Sequence, residues 1–315
     1  MKKVTALVLA LCMLLFCCSA VAENKVYNVG VLQLVQHDAL DSATQGFIDA
    51  LTDKLGDKVK IDVKNASGDT ANCATIANTF VSDDVDLIMA NATPALQACI
   101  AATTDIPILG TSVTAYDVAL EIDDWKGFTG INVSGTSDLA PLNEQAAMVK
   151  ELFPDAKTVG LLFCSAEANS EYQVKVMETE LAALGFTTER FAFTESNDVA
   201  ALAEQAASCD VVYIPTDNTA AVYTETIANV LVPANVPVIA GEEGICKGCG
   251  VATLTITYYD IGYKTGEMAY EVLVNNADVS TMEIAFAPQF VKKYNADIAA
   301  SLGVTIPADY AVIGE

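Results

Sequence analysis

"DLIMANATPALQA" (residues 86–98) and "DVVYIPTDNTAAV" (residues 210–222) are the pair of stretches that decide the fold. Each starts with Asp, runs through four apolar residues, breaks on polar residues and resumes as Ala-rich sequence. A short apolar run bounded by turn residues fits a strand buried on both faces. Thr93 and Pro94 then fit the N-cap and first residue of a helix, since a Thr oxygen accepts orphan amides and Pro gives up no needed donor. The surrounding sequence repeats in the same order. "VGVL" at 29 is answered by "VGLL" at 159 and "IPI" at 106 by "VPV" at 236, both offset by 130 residues, while Asp86 and Asp210 are offset by 124 across a small indel.

Working outward, short apolar runs alternate with amphipathic stretches, the pattern of a parallel sheet covered by helices. Strands are expected over 26–34, 59–63, 87–90, 106–109, 158–163, 187–193, 211–214, 237–240 and 250–256, with a last one over 285–291. Helices are expected over 40–55, 72–81, 94–102, 140–152, 170–184, 200–207, 220–231 and 260–274, and a short one over 295–302. The fold class is therefore α/β: two doubly wound, Rossmann-like parallel-sheet lobes joined by a hinge. "NVSGTSDLAP" (132–141) interrupts the pattern and marks one crossing; a second is placed near 257–260. These divide the chain into a first lobe of 25–137 plus 259–284 and a second of 138–258 plus 285–315.

The first 22 residues read as a signal peptide: Lys2 and Lys3, an apolar run over 4–16, and Ala20-Val21-Ala22 as the cleavage site. The mature protein is expected outside the cytoplasm, in the periplasm, or on the cell surface if Cys17 or Cys18 were lipid-modified. A net charge of −25 makes nucleic acid and anionic membranes poor partners. Six cysteines remain after cleavage, and export permits disulfides among them without fixing their pairing. Cys246-Lys-Gly-Cys249 has redox or half-zinc spacing, but no second pair completes it, so a loop disulfide or two idle thiols is expected. No metal and no cofactor is called for.

In open α/β sheets ligands bind beyond the carboxyl ends of the strands. Gln33, His37 and Asp41 follow the first strand, Thr93 the third, and Thr111, Ser112 and Thr114 the fourth. In the second half Glu167, Asn169 and Ser170, then Thr216, Asp217 and Asn218, then Glu242 and Glu243 hold the matching places. Hydroxyls and helix-start amides on one side face carboxylates on the other, which suits an amino acid. Its carboxylate would rest on Thr93 and Ser112, its ammonium on Asp217 or one of the two glutamates. Thr93, Ser170 and Asp217 are also good helix caps, and capping alone explains each of them singly. Enzyme motifs are missing: the sequence contains no G-x-S-x-G, H-E-x-x-H, P-loop or G-x-G-x-x-G, and its one histidine is His37.

Together "VGVLQLVQHDALDSATQGFIDAL", "DLIMANATPALQA", "FCSAEANSEYQV", "YIPTDNTAAV" and "ASLGVTIPADY" resemble the solute-binding proteins of ABC importers, tryptophan/tyrosine-type, over nearly all of the mature chain. The resemblance implies a type I periplasmic-binding-protein fold with one small ligand closed between the lobes. It implies that Thr93, Ser112, Asn169, Ser170, Asp217 and Asn218 line that cleft, and Glu243 resembles the acidic residue with which leucine-type relatives hold an ammonium group. Where relatives tend to read V-T-D-P, this chain reads "VTAYDV" (113–118). The expectation is a monomeric, non-enzymatic binding protein that delivers an aromatic or other apolar amino acid to an ABC importer permease; the alternative is a sensor that presents its closed form to a signalling receptor.

Overall fold

The computed structural model describes residues 25–314, so the signal-peptide reading lies outside the described residues. The chain begins with β1 (Tyr27–Gln33), α1 (Asp38–Leu55), β2 (Val59–Asn65), α2 (Thr70–Ser82), β3 (Leu87–Asn91), α3 (Thr93–Ala102), β4 (Ile108–Val113), α4 (Tyr116–Ala119) and β5 (Val133–Ser137). It continues with α5 (Leu142–Leu152), β6 (Thr158–Cys164), α6 (Ala168–Ala183), β7 (Thr187–Phe193), α7 (Val199–Ala206), β8 (Val211–Ile214), α8 (Asn218–Val222), α9 (Thr224–Leu231), β9 (Val238–Ala240), α10 (Glu243–Cys249) and β10 (Ala252–Thr255). Then come α11 (Tyr258–Asn275), β11 (Ala285–Phe286), β12 (Val291–Tyr294), α12 (Ala296–Ser301) and β13 (Ala311–Val312).

Two sheets form. The first has the order β11-β5-β4-β3-β1-β2, all parallel; the second runs β13-β12-β10-β9-β8-β6-β7, with β12 antiparallel to β10. The two opening stretches hold equivalent places, β3 beside β1 and β8 beside β6. Their leading aspartates do the same work. Asp86 accepts the backbone amide of Asn28 at 2.8 Å, and Asp210 accepts those of Lys157 and Thr158 at 2.8 and 2.9 Å, each tying the start of the neighbouring strand.

Successive strand residues point to opposite faces, and both faces are covered. Ile88 and Ala90 pack with Phe80 and Leu96 on one side of the first sheet, while Leu87 and Met89 pack with Phe47, Leu51 and Met268 on the other. In the second lobe Val211 and Tyr213 meet Val174 and Met177, and Val212 and Ile214 meet Val199 and Ile227.

The structure departs from the expectations where polarity hid an element. β5, the stretch read as an interruption, is a fully buried strand, because Ser134, Thr136 and Ser137 satisfy their hydroxyls against Met282 O, Thr265 and Thr114 O. The single strand expected over 285–291 is two, β11 in the first sheet and β12 in the second, so the chain crosses after Phe286. The helix expected over 220–231 breaks at Tyr223 into α8 and α9. Cys246 and Cys249 sit on α10 rather than in a loop, buried and free. The six cysteines among the described residues are free and buried, and burial pushes the Cys73 thiol up to about 11 and the Cys99 thiol to about 12.

Helix α11 returns to the first lobe and crosses α1 at close range. A Cβ on Gly262 would run into the Ala43 carbonyl, and one on Gly46 into the Tyr259 carbonyl. Overpacking of this kind costs about 1–3 kcal/mol, against roughly 1 kcal/mol regained in helix propensity. Gly262→Ala is therefore expected to lower the urea midpoint of unfolding; a midpoint at or above that of the wild type would show that the helices separate freely.

Candidate functional site

The carboxyl ends of the two sheets face each other. Between them lies a cavity walled by His37, Leu40, Ser112, Thr114, Asp138, Asn169, Thr216, Asp217, Asn218, Ala221, Glu242 and Tyr258. It is nearly shut. About 10 Å³ remains, room for about one water. Polar ties cross from lobe to lobe around it: His37 Nε2 to Asn218 Oδ1 at 3.4 Å, Thr114 Oγ1 to Thr216 Oγ1 at 3.4 Å, and Lys247 Nζ to Asp38 Oδ2 at 2.7 Å.

Eight of the fifteen strand-end residues wall this cavity: His37, Ser112, Thr114, Asn169, Thr216, Asp217, Asn218 and Glu242. Ser112 has a positive φ of 53° at the point where the β4–β5 register shifts, and its buried Oγ has no partner. A non-glycine residue held there stores about 1–3 kcal/mol of strain, a pattern that clusters at binding sites. Ala92, at φ 89° between β3 and α3, is a second such residue. Beside it Thr93 heads α3, buried, with a hydroxyl that has no partner, although it does not wall the cavity.

The remaining expected residues are occupied elsewhere. Gln33 donates to Asp41 at 2.6 Å and accepts from Thr44 at 2.6 Å, and Asn91 donates to Thr44 and Leu40 O; this network fastens the ends of β1 and β3 onto α1. Thr111 turns to Thr136 at 3.1 Å, toward α11. Ser170 is fully buried at the start of α6, with its Oγ 3.3 Å from Asn169 Nδ2. Glu243 pairs with Lys293 at 2.6 Å, outside the cavity.

The carboxylates divide into those already satisfied and one that is not. Asp217 accepts from Cys164 N at 2.6 Å and Ala220 N at 2.7 Å, capping α8. Glu242 caps α10 through Gly244 N and Ile245 N. Burial, with the Glu167 charge second, raises the Asp217 carboxyl, and burial pushes Glu242 up to about 7. Asp138, one residue past β5, was not among the expected set. Its Oδ2 accepts from Tyr258 OH at 3.0 Å, while its Oδ1 is buried without a partner. Burial raises this carboxyl as well. It escaped sequence reading because "SGTSD" lacks the apolar alternation that marks a strand and so its end.

Two doubly wound lobes closing their strand ends on a buried polar cavity constitute the type I periplasmic-binding-protein fold. A family model described as "ABC transporter substrate binding protein" matches residues 28–313. The chain belongs to that family, whose members are binding proteins and not enzymes. It is 38% identical over 269 residues to a tyrosine-binding protein of Clostridioides difficile, covering 83% of this chain and 78% of that one. Among solved structures it is similar to an ABC domain in complex with L-Trp from Streptococcus pneumoniae (32% identity, 90% and 97% of the two chains, TM-score 0.86). A substrate binding protein with adhesive properties from Clostridium difficile, described as ligand-free and open, is 36% identical over 91% and 99% of the chains, yet superposes with a TM-score of 0.70.

The Glu242 shift has a pH consequence. Folded, the carboxyl holds its proton up to about pH 7; unfolded, it releases it near its ordinary 4.5. A pKa raised by folding contributes stability that is present at low pH and fades as pH rises through that window. Glu242→Gln removes this loss, so its stability relative to wild type should improve from pH 4.5 to 7.5 by up to on the order of 3 kcal/mol. Urea unfolding of both proteins across that range measures it, and a constant difference would refute it.

Proposed function

We propose that the protein is the exported binding component of an ABC importer, closing residues 25–137 with 259–286 against 138–258 with 287–315 around an aromatic or other apolar amino acid. One observation carries the reading: Ser112 Oγ, Asp138 Oδ1, Asn169 Oδ1 and His37 Nδ1, all on the wall of one cavity, are buried without hydrogen-bond partners. Unpaired buried polar atoms cost about 1–3 kcal/mol each, and a ligand with complementary groups relieves that cost. Asp138 supplies the negative charge for an ammonium group, a role expected of Asp217, Glu242 or Glu243, whose oxygens are committed to helix caps or to Lys293. Ser112 and Thr93, with the amides that open α3, supply donors for a carboxylate.

The ligand of the tyrosine-binding relative and the L-Trp of the similar complex support an aromatic side chain. The polar cavity itself is too small for one. Across Asn218 lies a cleft of about 400 Å³, to which both lobes contribute, with Val35, Pro94, Ala166, Val222 and Tyr223 on its wall, and this is where the side chain is placed. The better superposition on the L-Trp complex than on the open chain supports hinge closure as the binding step. Membership of the family supports delivery to a permease and a location outside the cytoplasm; among the described residues no helix is long and apolar enough to cross a membrane.

Calorimetric titration against an amino-acid panel tests the reading. L-Tyrosine or L-tryptophan should bind. Asp138→Asn should weaken that binding on the order of a hundredfold, since breaking one side of a buried charge pair costs about 2–5 kcal/mol. Thr93→Val should weaken it roughly tenfold, the worth of a hydrogen bond to a charged group. Failure of every aromatic and branched apolar amino acid to bind would sink the substrate class.

A further inference from the structure

Glu167 precedes α6, is buried, and collects five hydrogen bonds. Its Oε2 accepts from Asn218 Nδ2 at 2.6 Å, Asn218 N at 3.1 Å and Asn169 Nδ2 at 3.1 Å, and its Oε1 from Thr219 N at 2.9 Å and Thr219 Oγ1 at 2.8 Å. A carboxylate receiving five donors can only accept, and that fixes what its neighbours present elsewhere. Asn169 must turn its NH₂ to Glu167, an orientation that the Thr216 carbonyl at 3.0 Å reinforces, leaving Oδ1 buried and unpartnered on the cavity wall. Asn218 must likewise turn its NH₂ to Glu167, so the atom facing His37 is Oδ1, an acceptor. His37 must then carry its proton on Nε2 and keep Nδ1 bare. That Nδ1 is the buried atom without a partner.

We infer that Glu167 is a positioning residue that sets the hydrogen-bond polarity of the site through Asn169, Asn218 and His37, and so selects a ligand group rich in donors, the ammonium. The relay crosses from the second lobe to the first, so one carboxylate orients groups on both sides of the cavity. Asn169 Oδ1, His37 Nδ1 and Asp138 Oδ1 are then three acceptors for a group with three N–H donors. The ligand half of this inference rests on the amino-acid reading above; the relay itself does not.

Because His37 is the only histidine in the chain, ¹⁵N labelling of histidine reads its tautomer without ambiguity, at pH 8 with no ligand added and with the lobes held closed by a zero-length carbodiimide cross-link between Lys247 and Asp38, whose charged groups lie 2.7 Å apart across the cleft. The wild type should show the Nε2–H form with Nδ1–H below detection. In Glu167→Gln, and independently in Asn218→Ala in case the first variant folds poorly, Nδ1–H should rise at least several-fold. Nδ1–H as the main wild-type form, or a ratio unchanged in both variants, overturns the relay. The second arm titrates L-tyrosine and its des-amino analogue, 3-(4-hydroxyphenyl)propionate. Glu167→Gln should reduce the preference for tyrosine at least about tenfold; equal weakening of both ligands would show a merely structural role and overturn the selection. If the tautomer result holds and tyrosine does not bind, the functional reading fails and the relay stands.

Discussion

A parallel sheet gathers the carboxyl ends of its strands, and the amino ends of the helices that follow, along one edge. Here two such edges are pressed together, and every polar group on them must find a partner or remain unpaired in a buried place. Most are satisfied from within. Asp217 binds amides of β6 and α8, Glu242 caps α10, and Gln33, Thr44 and Asn91 lace β1 and β3 to α1. What is left over defines the site: a ring of unpaired atoms around a cavity, with strained backbone at Ser112 and Ala92 beside it. The candidate binding surface is the remainder after the fold has used what it needs.

That distinction explains how far the sequence could be read. The positions of the central strands follow from apolar runs such as 87–90 and 211–214, whose burial needs no tertiary knowledge, and the repeated aspartates show which strands correspond. Of the residues that the strand-end rule pointed to, His37, Ser112, Asn169, Asp217, Asn218 and Glu242 lie on the cavity wall. It could not say which carboxylate was free. Asp217 and Glu242 look like ligand groups and like helix caps in sequence, and only the backbone amides in front of them decide. β5 and Asp138 were hidden for a different reason: a strand of Ser, Gly and Thr is stable only because hydroxyl partners reach it from α11, from Met282 and from the chain after β4. Those partners are as many as 148 residues away.

The cysteines illustrate the same limit in the opposite direction. A C-x-x-C pair in a chain whose sequence reads as exported invites a redox reading, and its spacing is compatible with one. Packed on the inner face of α10, with Cys249 Sγ donating to Ile245 O at 3.3 Å, the pair is part of the core of the second lobe. Burial raises both thiols, and a thiol held protonated is a poor nucleophile.

Closure has its own energetic logic. The direct ties between the lobes are weak ones: the Lys247–Asp38 pair is 62% and 67% exposed, where such pairs are worth about 0–1 kcal/mol, and the His37–Asn218 and Thr114–Thr216 contacts are long at 3.4 Å. Against them stand buried atoms without partners, which penalise the shut cleft whenever nothing fills it. A ligand that pairs those atoms adds its own bonds and removes the penalty in the same step, and both favour the closed arrangement over the open one. Because a ligand shifts a conformational equilibrium only by its differential affinity for the two states, in the proposed closure mechanism concentrating unpaired polarity at the interlobe surface would make closure depend on occupancy, whereas an interface of strong direct contacts would close regardless of it.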